Sequence, residues 1–179
     1  MNDIVFDKND LIEIEKIKAK YPDSKSAVMP VLWYAQDKFG DTNTDIQKLV
    51  AATLDLPPSH VYGVVTFYTQ YYDEPKGKFV LDVCTCLSCH LCGGYDMLHY
   101  AEEKLGIKAG ETTDDGLFSL QSVECLGACG YAPMMQVTND KFVNHLTKEK
   151  LDKVIQSLKN GKGIEFEPIV IQQHQNAPK

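Results

Sequence analysis

Two short cysteine clusters, Cys84-Thr-Cys-Leu-Ser-Cys89 and Cys125-Leu-Gly-Ala-Cys129, place soft thiolates five and four positions apart. A thiolate pair at such a spacing in a loop can chelate one iron. Two pairs facing each other supply the four thiolates that a [2Fe–2S] cluster takes. Each cluster follows directly on a segment that reads as a strand, Phe79-Val-Leu-Asp-Val83 and Phe118-Ser-Leu-Gln-Ser-Val123. The thiolates would therefore sit in loops at strand ends, where function concentrates. The chemistry indicated is electron transfer.

Cys86 and Cys92 crowd the first cluster, so three ligand sets compete. Cys84, Cys89, Cys92 and Cys125 satisfy the plant-type C-x4-C-x2-C…C pattern. Cys86, Cys89 and Cys92 open a bacterial [4Fe–4S] run, but no fourth Cys followed by Pro completes it. The third set is Cys84, Cys89, Cys125 and Cys129, and it alone accounts for the pairing of the last two. The flanks favour it as well. Gly93-Gly94 followed by Tyr95–Leu105 reads as a helix starting at once after Cys92, which gives strand, short ligand loop and helix.

Several segments carry a resemblance: Val61-Tyr-Gly-Val-Val-Thr-Phe-Tyr68, Val83-Cys-Thr-Cys-Leu-Ser-Cys89, Leu105-Gly-Ile-Lys-Ala-Gly-Glu-Thr-Thr113 and Val123-Glu-Cys-Leu-Gly-Ala-Cys-Gly-Tyr-Ala-Pro-Met134. From about Ser26 to Leu158 the chain resembles the thioredoxin-like [2Fe–2S] ferredoxin family. That family includes the 24-kDa (E) subunit of respiratory NADH:quinone oxidoreductase, with relatives in NAD-linked hydrogenases and formate dehydrogenases. The resemblance implies one [2Fe–2S] cluster held by Cys84, Cys89, Cys125 and Cys129, which match the family's C-x4-C and C-x3-C ligands. It implies exchange of single electrons with a partner flavoprotein subunit carrying FMN, the NAD(H) site and a [4Fe–4S] cluster, within a larger redox complex. Cys86 and Cys92 are additions to the family pattern.

Composition agrees with such a role. The chain has 179 residues, formal net charge −7, and 18 basic residues of which every one is Lys. Without Arg it lacks the bidentate forks that read phosphate and guanine, which argues against nucleic-acid binding. The amino terminus shows no basic region followed by an apolar run, and no apolar stretch approaches the roughly 18–20 residues that span a bilayer. Six cysteines outside a small disulfide scaffold point to a reducing cytoplasm, including the peripheral arm of a membrane-attached complex.

The elements that must position the thiolates suggest an α+β protein: an N-terminal small helical bundle followed by a thioredoxin-like ferredoxin domain. Asp10 is expected to cap a helix over Leu11–Lys20, stopped by Tyr21-Pro22. Ser26 is expected to cap a second, with Val28, Val31, Leu32, Ala35 and Phe39 on one face and Gly40 closing it. Asp45–Leu54 repeats the pattern, and Ser59 is expected to cap a fourth helix over His60–Tyr72, where β-branched and aromatic residues also allow a strand. The polar break Asp73-Glu-Pro-Lys-Gly-Lys78 separates this bundle, residues 1–75 and a candidate docking domain, from a second domain over 76–160. There the expected order is strand 79–83, helix 93–105, strand 118–124, strand 134–138, a short strand near Phe142–Val143 and a helix from Thr147 to Leu158. A tail over 161–179, freed by Gly161 and Gly163, carries apolar Ile164, Phe166 and Ile169–Ile171, a candidate arm on a partner or on its own domain.

Other chemistries find less support. His90 beside Cys89 lacks the second His of a Rieske iron. Gly127–Gly130 spells the GxxG of a nucleic-acid loop, but inside a cysteine cluster of an acidic chain. Neither GxGxxG nor a P-loop is present, so NAD, flavin and nucleotide belong to another subunit. A structural zinc site is one rival. Another is a thiol–disulfide oxidoreductase using Cys89-His-Leu-Cys92 at a strand-to-helix junction.

Overall fold

The computed structural model describes residues 4–164, and the chain divides into two compact units, Met1–Gly77 and Lys78–Lys179. The apolar tail segment beyond Ile164 lies outside the described residues.

The first unit packs four helices, α1 (Lys8–Lys18), α2 (Val28–Phe39), α3 (Thr44–Leu54) and α4 (Pro58–Phe67). Their apolar stripes meet in one core of Ile14, Val28, Val31, Leu32, Ala35, Ile46, Val50, Leu54, Val61 and Val65. Three expected starts shift. Asp7, not Asp10, caps α1: its carboxylate accepts the Asn9 and Asp10 amides at 2.7 and 3.0 Å, while the Asp10 carboxylate accepts the Asp7 amide at 2.6 Å. This reciprocal capping box satisfies three donors where a cap at Asp10 would waste a turn. Asp10 is buried instead, accepting Tyr34 Oη at 2.8 Å and pairing with Lys38 Nζ at 2.6 Å. Ser26 does not cap α2. Its amide is held by Asp23 Oδ1 at 2.8 Å, and the helix begins after Ala27 without a side-chain cap.

The third shift is at α4, which starts at Pro58 rather than after Ser59, because proline's fixed φ and missing donor suit the first turn. It also ends at Phe67, five residues short of Tyr72. The buried Gln36 side chain explains the early end. Its amide donates to Gln70 O at 3.0 Å and its carbonyl accepts the Tyr72 amide at 2.7 Å, so it supplies the partners a helix would have provided.

The second unit is built on a four-stranded sheet with order β2-β1-β3-β4, from β1 (Phe79–Cys84), β2 (Phe118–Val123), β3 (Met135–Val137) and β4 (Lys141–Val143). β1 and β2 run parallel, while β3 is antiparallel to both β1 and β4. A βαβ crossover followed by a hairpin and a closing helix is the thioredoxin arrangement. Helices α6 (Gly94–Leu105) and α7 (Lys148–Lys159) contribute Leu98, Ala101, Leu151, Val154, Ile155 and Leu158 to a core shared with Leu81, Val83, Phe118, Leu120, Met135 and Val137. Thr147 caps α7 by accepting the Lys150 amide at 3.2 Å. One element was not anticipated: α5 (Leu87–Leu91), a single turn between β1 and α6. Five residues are too few to display a helical period, so only tertiary packing reveals it.

Candidate metal centre

Parallel pairing brings the two cysteine loops to one end of the sheet. The last residue of β1, Cys84, stands opposite the last residue of β2, Val123, so both chains leave the sheet level with one another. In open α/β sheets such carboxyl ends are where ligands bind. Cys84 closes β1, Cys89 lies within α5, and Cys125 and Cys129 bracket a loop that ends in a 3-10 turn over Cys129–Tyr131.

Cys84 and Cys89 are buried against Met134, each 2 % exposed, with Cys86, Leu126, Ala128, Ala132 and Phe142 packed around them. Cys125 and Cys129 are exposed, their sulfurs 3.3 Å apart. The pairs interact: Cys89 senses Cys84 and Cys129, and Cys129 senses Cys84 as well as Cys125. The structure thus brings Cys84, Cys89, Cys125 and Cys129 together as two pairs, one sheltered and one open. Among the described residues no three His, Cys, Asp or Glu side chains are gathered to hold a single ion.

Backbone geometry supports the loops. Gly127, at φ +81° between the second pair, turns its amide onto Cys125 Sγ at 3.4 Å. Gly94 opens α6 directly beneath the first pair: a Cβ there would come within 2.8 Å of the carbonyl oxygens of both Cys84 and Cys89. The absent side chain lets the helix start against both carbonyls.

The thiols differ accordingly. Burial pushes Cys89 up to about 11, reinforced by its hydrogen bond to Cys84. The Gly127 amide, then the Cys129 thiol, hold Cys125 below the ordinary thiol range, while donation to Cys125 raises Cys129. Cys92 is the exposed C-cap of α5. A redox dithiol at Cys89 and Cys92 needs an accessible, acidified thiol, and Cys89 is neither. His90 packs edge-on against Tyr95, ring centroids 5.0 Å apart.

Two residues of the first loop, Cys86 and the Ser88 that the sequence did not single out, also act on the open pair. As lesser influences, the Ser88 hydroxyl acts to lower the Cys129 thiol and the Cys86 thiol acts to lower Cys125. No spacing rule marks Ser88, because Cys129 lies in a different loop.

Four thiols in two pairs, buried at one side and served by a backbone amide at the other, fit a [2Fe–2S] cluster, in which each iron takes two protein thiolates.

Comparisons with known proteins agree. The model of the thioredoxin-like [2Fe–2S] ferredoxin family matches residues 14–159. The chain is 44% identical over 147 residues to the E 2 subunit of NADH-quinone oxidoreductase from Rhizobium meliloti (strain 1021), covering 82% of this chain and 87% of that protein. It is 40% identical over 161 residues to NADH-quinone oxidoreductase subunit 2 of Thermus thermophilus, covering 89% and 88%. In three dimensions it is similar to an NAD+-reducing [NiFe]-hydrogenase in the H2-reduced state, at TM-score 0.60 and 16% identity. That match covers 72% of this chain and 22% of the hydrogenase chain, and at this identity it speaks for the fold alone.

Proposed function

The chain belongs to the thioredoxin-like [2Fe–2S] ferredoxin family, and from that premise we propose that it is the electron-transfer subunit of an NADH-oxidising multisubunit oxidoreductase. The names of its relatives favour NADH:quinone oxidoreductase as the parent complex. Cys84, Cys89, Cys125 and Cys129 are the proposed ligands. The observation that carries this assignment is the convergence of the two cysteine pairs at level strand ends, Cys84 opposite Val123.

When bound, the cluster supplies one-electron oxidation and reduction. The chain's own residues do the rest. Burial of Cys84 and Cys89 against Met134 excludes water from one side, and the exposed Cys125 and Cys129 leave the other side open to a partner. The Gly127 amide gives a sulfur of the open pair a fixed donor. No catalytic residue is assigned to this chain. A one-electron centre cannot take a hydride, so NAD(H) and FMN are placed on a partner flavoprotein subunit, and the helical unit of residues 1–77 is its proposed docking domain.

Reconstitution of the pair tests the proposal. Electron paramagnetic resonance should show rapid reduction of a single [2Fe–2S] centre by NADH only when the flavoprotein subunit is present. Equally rapid reduction without it would overturn the division of labour. A subunit of an NAD-linked hydrogenase is the second reading, consistent with the shared fold. Mass spectrometry of co-purifying subunits separates the two, since a nickel–iron hydrogenase subunit in place of quinone-reductase subunits would favour it.

A further inference from the structure

We propose that residues 165–171, Glu-Phe-Glu-Pro-Ile-Val-Ile, fold back into the groove between β4 and α7 of their own unit, with Phe166 as the anchor. The groove has a volume of about 740 Å³, and Phe142 and Val143 of β4 with Val154 of α7 give it an apolar lining. β4 is the edge of the sheet, paired with β3 alone among the described residues. An open edge beside an apolar groove is a surface that folded chains cover.

The path of the chain leads the segment there. Past α7 the backbone reverses at Gly161, whose φ of +67° suits a residue without a side chain. The Gly161 amide donates to Leu158 O at 3.1 Å and the Lys162 amide to Ser157 O at 2.9 Å. The Ser157 hydroxyl then donates to Gly163 O at 2.9 Å, and Ile164 packs on the core of the unit while lining the groove. Residue 165 therefore starts inside the groove, so docking has no long loop to close.

Charge complements this path. Lys150, Lys153 and Ser157 share one face of α7 at helical spacing. With Lys162, the two α7 lysines put three ammonium groups around the groove, and among the described residues no carboxylate lines it. In an extended segment successive side chains alternate. With Ile164 on the core, Phe166 follows it inward, and Glu165 and Glu167 turn to the lysines on the rim.

Asn144 supplies a polar anchor. It is 8% exposed and lines the groove, and its buried Oδ1 has no hydrogen-bond partner among the described residues. Lys150 Nζ binds the same residue at its backbone oxygen, 3.1 Å away, and leaves Oδ1 unmet. A buried acceptor of this kind calls for a donor, and a backbone amide of the arriving segment provides one.

The test is limited proteolysis of the full chain with a glutamyl endopeptidase, in which mass spectrometry follows cleavage of the Glu165–Phe166 bond against a synthetic peptide of residues 160–171. Cleavage is expected about tenfold slower in the chain than in the peptide, because only the undocked state is cut. Phe166→Ser should raise it to the rate of its own peptide. Lys153→Glu should raise it in part, and adding Glu167→Lys should lower it again, since the two charges are then exchanged. Cleavage of the wild-type chain at the peptide rate overturns the inference. Protection that grows with protein concentration assigns the segment to a second copy, and protection that appears only with the flavoprotein subunit assigns it to that partner; either result overturns it. So does full protection retained in both Phe166→Ser and Lys153→Glu, which would put the segment outside this groove.

Discussion

The sulfurs of Cys125 and Cys129 stand 3.3 Å apart across a loop whose middle glycine, Gly127, turns its amide back onto Cys125 Sγ. Two thiols that close, with a backbone donor already in place, are one half of the proposed four-thiolate site. The other half, Cys84 and Cys89, is buried at the end of the adjacent strand.

Ligation follows from this pairing. Replacing Cys84, Cys89, Cys125 or Cys129 by Ser removes one of an iron's two protein thiolates, so each substitution should abolish or strongly perturb the visible and paramagnetic spectra. Cys92→Ser, at the exposed end of α5, should leave them normal. Bleaching by Cys92→Ser with a normal Cys129→Ser protein would restore the plant-type ligand set.

Hydride chemistry should be absent from the isolated chain. With its cluster bound and no flavoprotein added, it should show no NADH oxidation at 340 nm, because a one-electron centre has no route for an electron pair. Turnover of NADH by the pure subunit would refute the proposed role.

The Asp10 carboxylate should make the helical unit acid-sensitive. Burial opposes its charge, but Lys38, the Tyr34 hydroxyl and the Asp7 amide outweigh burial and hold its pKa below the ordinary value. A depressed folded pKa means stabilisation that is complete above the unfolded pKa of about 4 and is lost as pH falls through the folded value. The only tryptophan, Trp33, packs in this unit's core and reports its unfolding by fluorescence. Its melting temperature should fall below about pH 4 in the wild type and respond less in Asp10→Asn, which should be less stable at pH 7. Identical acid profiles would remove Asp10 from the account.

Gln36→Ala should destabilise the same unit by about 1–3 kcal/mol, since it removes the Gln36 hydrogen bonds to the Gln70 carbonyl and the Tyr72 amide. Denaturant unfolding followed at Trp33 measures it, and a change below about 0.5 kcal/mol would mean the turn holds itself.

Leu120→Ala should cost the ferredoxin unit about 2–5 kcal/mol by leaving a cavity in the middle of β2, where the side chain is fully buried. Thermal loss of the cluster's visible absorption should then occur at lower temperature, with the Trp33 transition the comparison signal for the other unit.

Much of this protein was legible in the order of its residues. Cysteine spacing, strand-like runs ending at each cysteine cluster, and the apolar stripes of α2 and α3 follow from local chemistry and period, which neighbours in sequence determine. The helix starts were less legible. Asp7 and Asp10 are both good caps, and Asp10's burial beside Tyr34 and Lys38 decided between them. α4 ends at Phe67 because Gln36, over thirty residues away, binds the backbone that follows. At the site, the sequence alone determined which residues could ligate iron. Only the tertiary structure decided that Cys84 and Cys125 leave the sheet side by side and that Cys89 sits in a one-turn helix. Those relationships depend on parallel strand register and close approach between distant segments, which no local pattern encodes.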